Sequence, residues 1–141
     1  ILIDPSVETY YNRGVFFMDI KYYNEANSDF TKVLRTDKNN AYSYFYRGAS
    51  NLFLGKFLNA IDDFKKALEF DAMDFDAYLG LAMAYNRVND VEKAKANFDK
   101  ANAIISPDET INSIENYANT YWYQNQYFYF NNNVNELAKL K

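Results

Sequence analysis

The sequence repeats itself every 34 residues, and no other feature narrows the possible folds as far. Sliding the chain by that interval aligns Tyr10, Tyr44 and Tyr78, then Gly14, Gly48 and Ala82. Ala26, Ala60 and Ala94 fall together, as do Phe30, Phe64 and Phe98, Lys32, Lys66 and Lys100, and Val33, Ala67 and Ala101. The spacing inside each copy is helical. Tyr10, Gly14 and Phe17 share one face of a first helix, and Ala26, Phe30, Val33 and Leu34 share one face of a second. Short turns at 20–22 and 54–56 separate the two helices, so each copy is an antiparallel hairpin. Asp37, Asn40, Asp71 and Asp74 lie between copies, where their side-chain oxygens can accept the free N–H groups of the next helix. The small columns let two backbones approach and the aromatic columns fill the space beside them. Replacing Ala60 by Leu is therefore expected to cost about 1–3 kcal/mol.

A fourth copy is weaker. Ser106, Pro107, Asp108 and Glu109 read as a helix start, with Ser at the cap and Pro at the first position. A two-residue shift of register places Ile114, Tyr117, Ala118 and Tyr121 on a first helix. Tyr127, Phe130, Val134 and Leu137 then fall on a second, with Phe130 where earlier copies have Ala, so this hairpin is expected to splay. At the other end, the run from Leu2 to Ser6 is either the close of a preceding copy or a cap at Asp4 with Pro5 opening the first helix.

These units resemble tetratricopeptide repeats. The pattern is clearest in Tyr44-Phe45-Tyr46-Arg47-Gly48-Ala49 followed by Ala60-Ile61-Asp62-Asp63-Phe64-Lys65-Lys66-Ala67-Leu68, and it covers about residues 7 to 108. The resemblance implies an all-α fold, an α-solenoid of about four antiparallel helix pairs in a right-handed superhelix. It places repeats at 7–40, 41–74 and 75–108 and a divergent fourth at 109–141. Residues 1–141 are then a single domain within a longer array, because repeats bury their faces only against neighbours.

In the resembled family the first helix of each hairpin lines the concave side. The resemblance then implies a groove formed by Tyr11, Val15 and Met18, by Tyr42, Phe45, Leu52 and Phe53, by Leu79, Met83, Asn86 and Arg87, and by Trp122. That wall is rich in Met and aromatic residues, which adaptable and hot-spot surfaces favour. The expected function is a protein–protein interaction scaffold holding a peptide or helix of a partner. Trp122 is expected to report binding by fluorescence, and Phe45→Glu to remove partners with the fold intact. Some family members clamp the acidic tails of chaperones with Lys, Asn and Arg side chains. The matching places here hold Tyr11, Val15, Tyr46, Asp76 and Gly80, so that mode is disfavoured. Asn51 stands where other copies carry Phe17 and Tyr85, and it reads either as a bonded core amide or as a hook for a ligand's backbone. Phe128 and Tyr129 point away from the inner face of the last helix. They suit a second copy, giving the alternative of a self-assembling module, or further chain.

Composition removes the other function classes. The chain has no cysteine and no histidine, so disulfides and the usual zinc, haem and cluster ligands are missing. Its net charge of −4, with lysines scattered, argues against nucleic acid as a partner. No apolar run reaches the roughly 18 residues that span a bilayer. Asp62 and Asp63 are neighbours and diverge by about 100° on a helix, and the glycines form no phosphate loop. No catalytic residue, cofactor or metal is expected, and the compartment stays open.

Overall fold

The computed structural model describes residues 5–108 and 110–140, and among them it contains α-helices and one 3-10 turn but no strand. The expectations for Leu2, Ile3, Asp4 and Glu109 lie outside the described residues. Two units divide the chain, Ile1–Phe70 and Asp71–Lys141.

In the first unit, α1 (Pro5–Asp19) pairs with α2 (Tyr23–Thr36), and α3 (Ala41–Phe53) pairs with α4 (Phe57–Phe70). Helix α3 also packs on α2. The second unit holds α5 (Phe75–Arg87) paired with α6 (Val91–Ile105). A 3-10 turn (Ile114–Tyr117), a short α7 (Tyr121–Asn125) and α8 (Tyr127–Leu137) follow, and α8 packs on α5, α6 and α7.

The helix ends are set locally. Asn40 accepts a bond from Ser43 N at 3.0 Å and Asp74 one from Ala77 N at 3.1 Å, which caps α3 and α5 as expected. Asp90 caps α6 through Lys93 N at 3.2 Å. Each tight turn inside a hairpin closes with the same pair of bonds. Tyr22 N donates to Phe17 O and Lys21 N to Met18 O in the first hairpin. Lys56 N to Asn51 O and Gly55 N to Leu52 O repeat the pair, as do Asp90 N to Tyr85 O and Asn89 N to Asn86 O. This is the Schellman closure, and it needs a left-handed residue. Lys21, Gly55 and Asn89 fill that place with φ of 65°, 78° and 64°.

The core follows the repeat columns. Ala26, Ala60 and Ala94 are fully buried, with Phe30, Phe64 and Phe98 beside them. Gly14 is small because Phe30 crosses it: a Cβ there would stand 2.8 Å from the ring. Phe64 crosses Gly48 in the same way, at 2.9 Å.

The fourth copy departs from its expected form. Ser106 ends α6 rather than starting a new helix, since its N–H donates to Asn102 O. The stretch expected to form one helix across Ile114–Tyr121 splits instead into the 3-10 turn and the start of α7. Its Ser, Asn and Thr side chains bond their own backbone, which competes with helix. Asn116 Oδ1 accepts from Asn112 N and Ser113 N, and Thr120 Oγ1 accepts from Tyr123 N while donating to Tyr117 O. Helix α8 forms where the second helix was expected. Phe130 is fully buried, with its ring edge-on to Tyr117 at 5.3 Å.

Candidate partner-binding face

The predicted groove residues separate into a floor and a rim in the first unit. Met18, Phe45 and Leu52 are buried, and Phe45 rests on the Phe64 ring at 5.7 Å. They belong to the core, which corrects their expected place on the open wall. The physical reason is that α2 and α4 carry Phe30 and Phe64 into the space beneath the first helices. Phe45→Glu therefore tests folding rather than binding.

The rim is what remains accessible. Tyr42 is 72 % exposed, while Tyr11, Val15 and Phe53 are half-buried. Tyr11 stands edge-on to Phe30 at 6.0 Å and to Tyr46 at 6.2 Å, and Tyr46 stacks on Phe30 at 5.4 Å. Phe53 meets Tyr23 at 4.7 Å. Burial pushes the Tyr11 phenol up to about 12, helped by the nearby Tyr46 and Tyr42 hydroxyls. Tyr46 and Tyr42 therefore lie close enough to Tyr11 to act on it where α1 faces α3.

Polar bonds that hold this face in place were not foreseen from the sequence. Arg13 grips Asp29 through two bonds of 2.9 and 2.8 Å, and Arg47 grips Asp63 through two of the same lengths. Both acids are buried. The signal was available, because Arg13 and Arg47, and Asp29 and Asp63, are each one repeat apart. Asn51 proves to be a bonded core amide. Its Nδ2 donates to Asp63 Oδ2 at 3.0 Å, and its Oδ1 accepts from Asn27 Nδ2 at 2.8 Å. Burial still holds Asp63 above the usual carboxylate range, against the pull of Arg47 and Asn51. Asn27, Thr31, Arg47, Asn51 and Lys56 are among the residues lining a polar recess of about 300 Å³.

In the second unit the expected wall is covered by the chain's own C-terminal segment. Leu79, Met83 and Trp122 are fully buried. Trp122 Nε1 donates to Asp76 O at 2.8 Å, and Tyr121 N donates to Asp76 Oδ1 at 2.9 Å. Asn86 Nδ2 reaches Glu136 Oε2 at 3.2 Å, and Arg87 is exposed. Trp122 consequently reports the seating of α7 on α5, not a groove. Burial raises Asp76 to about 7, with the Asp74 carboxylate adding to the effect and the N–H bonds from α7 opposing it. Phe128 is 82 % exposed and Tyr129 is half-buried. Among the described residues no group of three or more acidic side chains is gathered to hold a metal ion, and no helix is long and apolar enough to cross a membrane.

Comparison with known proteins agrees with this architecture. The sequence matches the tetratricopeptide repeat family over residues 7–40 and 75–106. Human serine/threonine-protein phosphatase 5 is 34 % identical over 102 residues, which is 72 % of this chain and 19 % of the phosphatase. The chain thus spans about a fifth of the length of that relative. A crystal structure of MamA superposes with a TM-score of 0.72 at 25 % identity, covering 97 % of this chain and 78 % of MamA. The TPR2B domain of yeast Sti1, in complex with an Hsp70 peptide, gives a TM-score of 0.70 at 20 % identity over 94 % of this chain and 98 % of that one.

Proposed function

The chain belongs to the tetratricopeptide repeat family, and from that premise we propose that its first unit holds a peptide or helix of a partner protein on the aromatic face of α1 and α3. The repeat fold is a non-catalytic scaffold for protein interaction. The observation that carries the reading is the exposure of Tyr42 beside Tyr11 and Tyr46. A large aromatic ring left in water beside an aromatic cluster suits a hot spot, where partner contact removes it from solvent. Helix-in-groove recognition uses such rims over a packed floor. The Sti1 domain shares the fold and holds a chaperone peptide, but this chain carries Tyr11, Val15, Tyr46, Asp76 and Gly80 at the clamp positions. Its peptide is therefore of another chemistry.

Affinity capture with wild type and with Tyr42→Ser, which removes the ring without adding charge, tests the reading. The variant should lose partners while its circular dichroism and melting midpoint stay unchanged, since Tyr42 is mostly in solvent. Retention of every partner would sink it.

A second reading rests on Phe128. Its exposure on α8, next to the Tyr127 ring at 5.6 Å, supports self-association through this helix. The repeat bounds at 7–40, 41–74, 75–108 and 109–141 form part of the same proposal.

A further inference from the structure

We propose that the segment held on the α1–α3 face is basic as well as apolar, and that a Lys or Arg side chain of the partner lies over the rings of Tyr11 and Tyr42. This rests on the peptide-binding reading of that face and adds the charge of its occupant.

The charges on the two helices are few. Helix α1 carries Glu8, Arg13 and Asp19, and α3 carries only Arg47. Both arginines are committed, each gripping a buried aspartate through two bonds. Glu8 and Asp19 are exposed. They also share a stripe with Tyr11 and Val15, because steps of three and four residues return to one helix face. The charges left to meet a partner are therefore negative.

The tyrosines differ by position in a telling way. Tyr10, Tyr44 and Tyr78 each carry a cation over the ring, supplied by the chain itself. Lys32 lies 5.0 Å from the Tyr10 centroid, Arg47 5.8 Å from that of Tyr44 and Lys100 5.8 Å from that of Tyr78. Among the described residues no such cation stands over Tyr11 or Tyr42. An electron-rich ring face flanked by carboxylates attracts an ammonium or guanidinium group. An acidic segment meets repulsion from Glu8 and Asp19 and gains nothing from the rings. The partly exposed Val15 and Phe53 supply apolar contact for the rest of the segment.

The test uses the full chain and three short peptides in which leucine alternates with lysine, serine or glutamate, measured by fluorescence anisotropy. The lysine peptide should bind about tenfold or more tighter than the glutamate peptide. Tyr42→Leu keeps an apolar side chain and the net charge but removes the ring. It should weaken the lysine peptide about three- to tenfold and leave the serine peptide unchanged. Undiminished lysine-peptide binding to Tyr42→Leu overturns the proposal, whatever the ranking of peptides. Equal binding of lysine and glutamate peptides, with both lost on Tyr42→Ser, overturns the basic partner but leaves the peptide face standing. Indifference of all three peptides to Tyr42→Ser overturns the peptide face itself.

Discussion

The left-handed residue of each hairpin turn is the same structural position filled three ways, by Lys21, Gly55 and Asn89. A lysine there bears the steric cost of positive φ, which glycine avoids. Lys21→Gly should raise stability by about 0.5–1 kcal/mol in urea denaturation, the strain relieved exceeding the entropy added to the unfolded chain. Gly55→Ala should lower it by about 1 kcal/mol, although nothing lies within 4 Å of the new methyl. Equal stability of Gly55→Ala and wild type would mean that the turn is not held left-handed. Asp76 gives a second residue-scale outcome. Its folded value, about 7, lies above that of an unfolded aspartate, so the folded state resists its ionisation. Stability is then fully present at acid pH, below the unfolded value, and is lost as pH rises towards about 7. Asp76→Asn can still accept the bond from Tyr121 N. It should flatten most of that slope and exceed wild type above neutrality by about 2 kcal/mol. Because the chain has no histidine, a wild type with no slope across this range would contradict the burial of Asp76.

Among the elements, α7 and α8 act as a strap on α5. The strap is pinned at one end by Tyr121 and Trp122 on Asp76 and at the other by Asn86 on Glu136. Trp122 is the chain's one tryptophan and is fully buried. Native fluorescence should therefore be blue-shifted and shielded from iodide, and Trp122→Ala should cost about 3–5 kcal/mol through the cavity and the lost bond. A native spectrum that is red and readily quenched would refute the seating of the strap. The regular hairpins were legible in the sequence because each aligned column has one local job. Asn40 and Asp74 cap helices, Gly14 and Gly48 make room for Phe30 and Phe64, and the turns close on themselves. The strap was not legible, because Asn112, Ser113, Asn116 and Thr120 divert their backbone bonds locally while the apolar residues between them still show helical spacing.

For the whole molecule, two surfaces compete to explain the function, the Tyr42 face of the first unit and the Phe128 helix of the second. If α8 drives self-association, sedimentation should show a mass that grows with concentration and falls to that of one chain in Phe128→Ser. A single-chain mass at all concentrations would remove that reading and leave the peptide face. The repeat, its helices, their caps and their small-against-large packing followed from sequence, because each depends on neighbours within a few residues or on one repeat interval. Which of the inner-wall residues meet water did not. Met18, Phe45, Leu52, Leu79, Met83 and Trp122 all have the spacing of an open wall, yet they are buried. Helical periodicity assigns a side chain to a face, and only the packing of α2, α4 and the strap decides whether that face is covered.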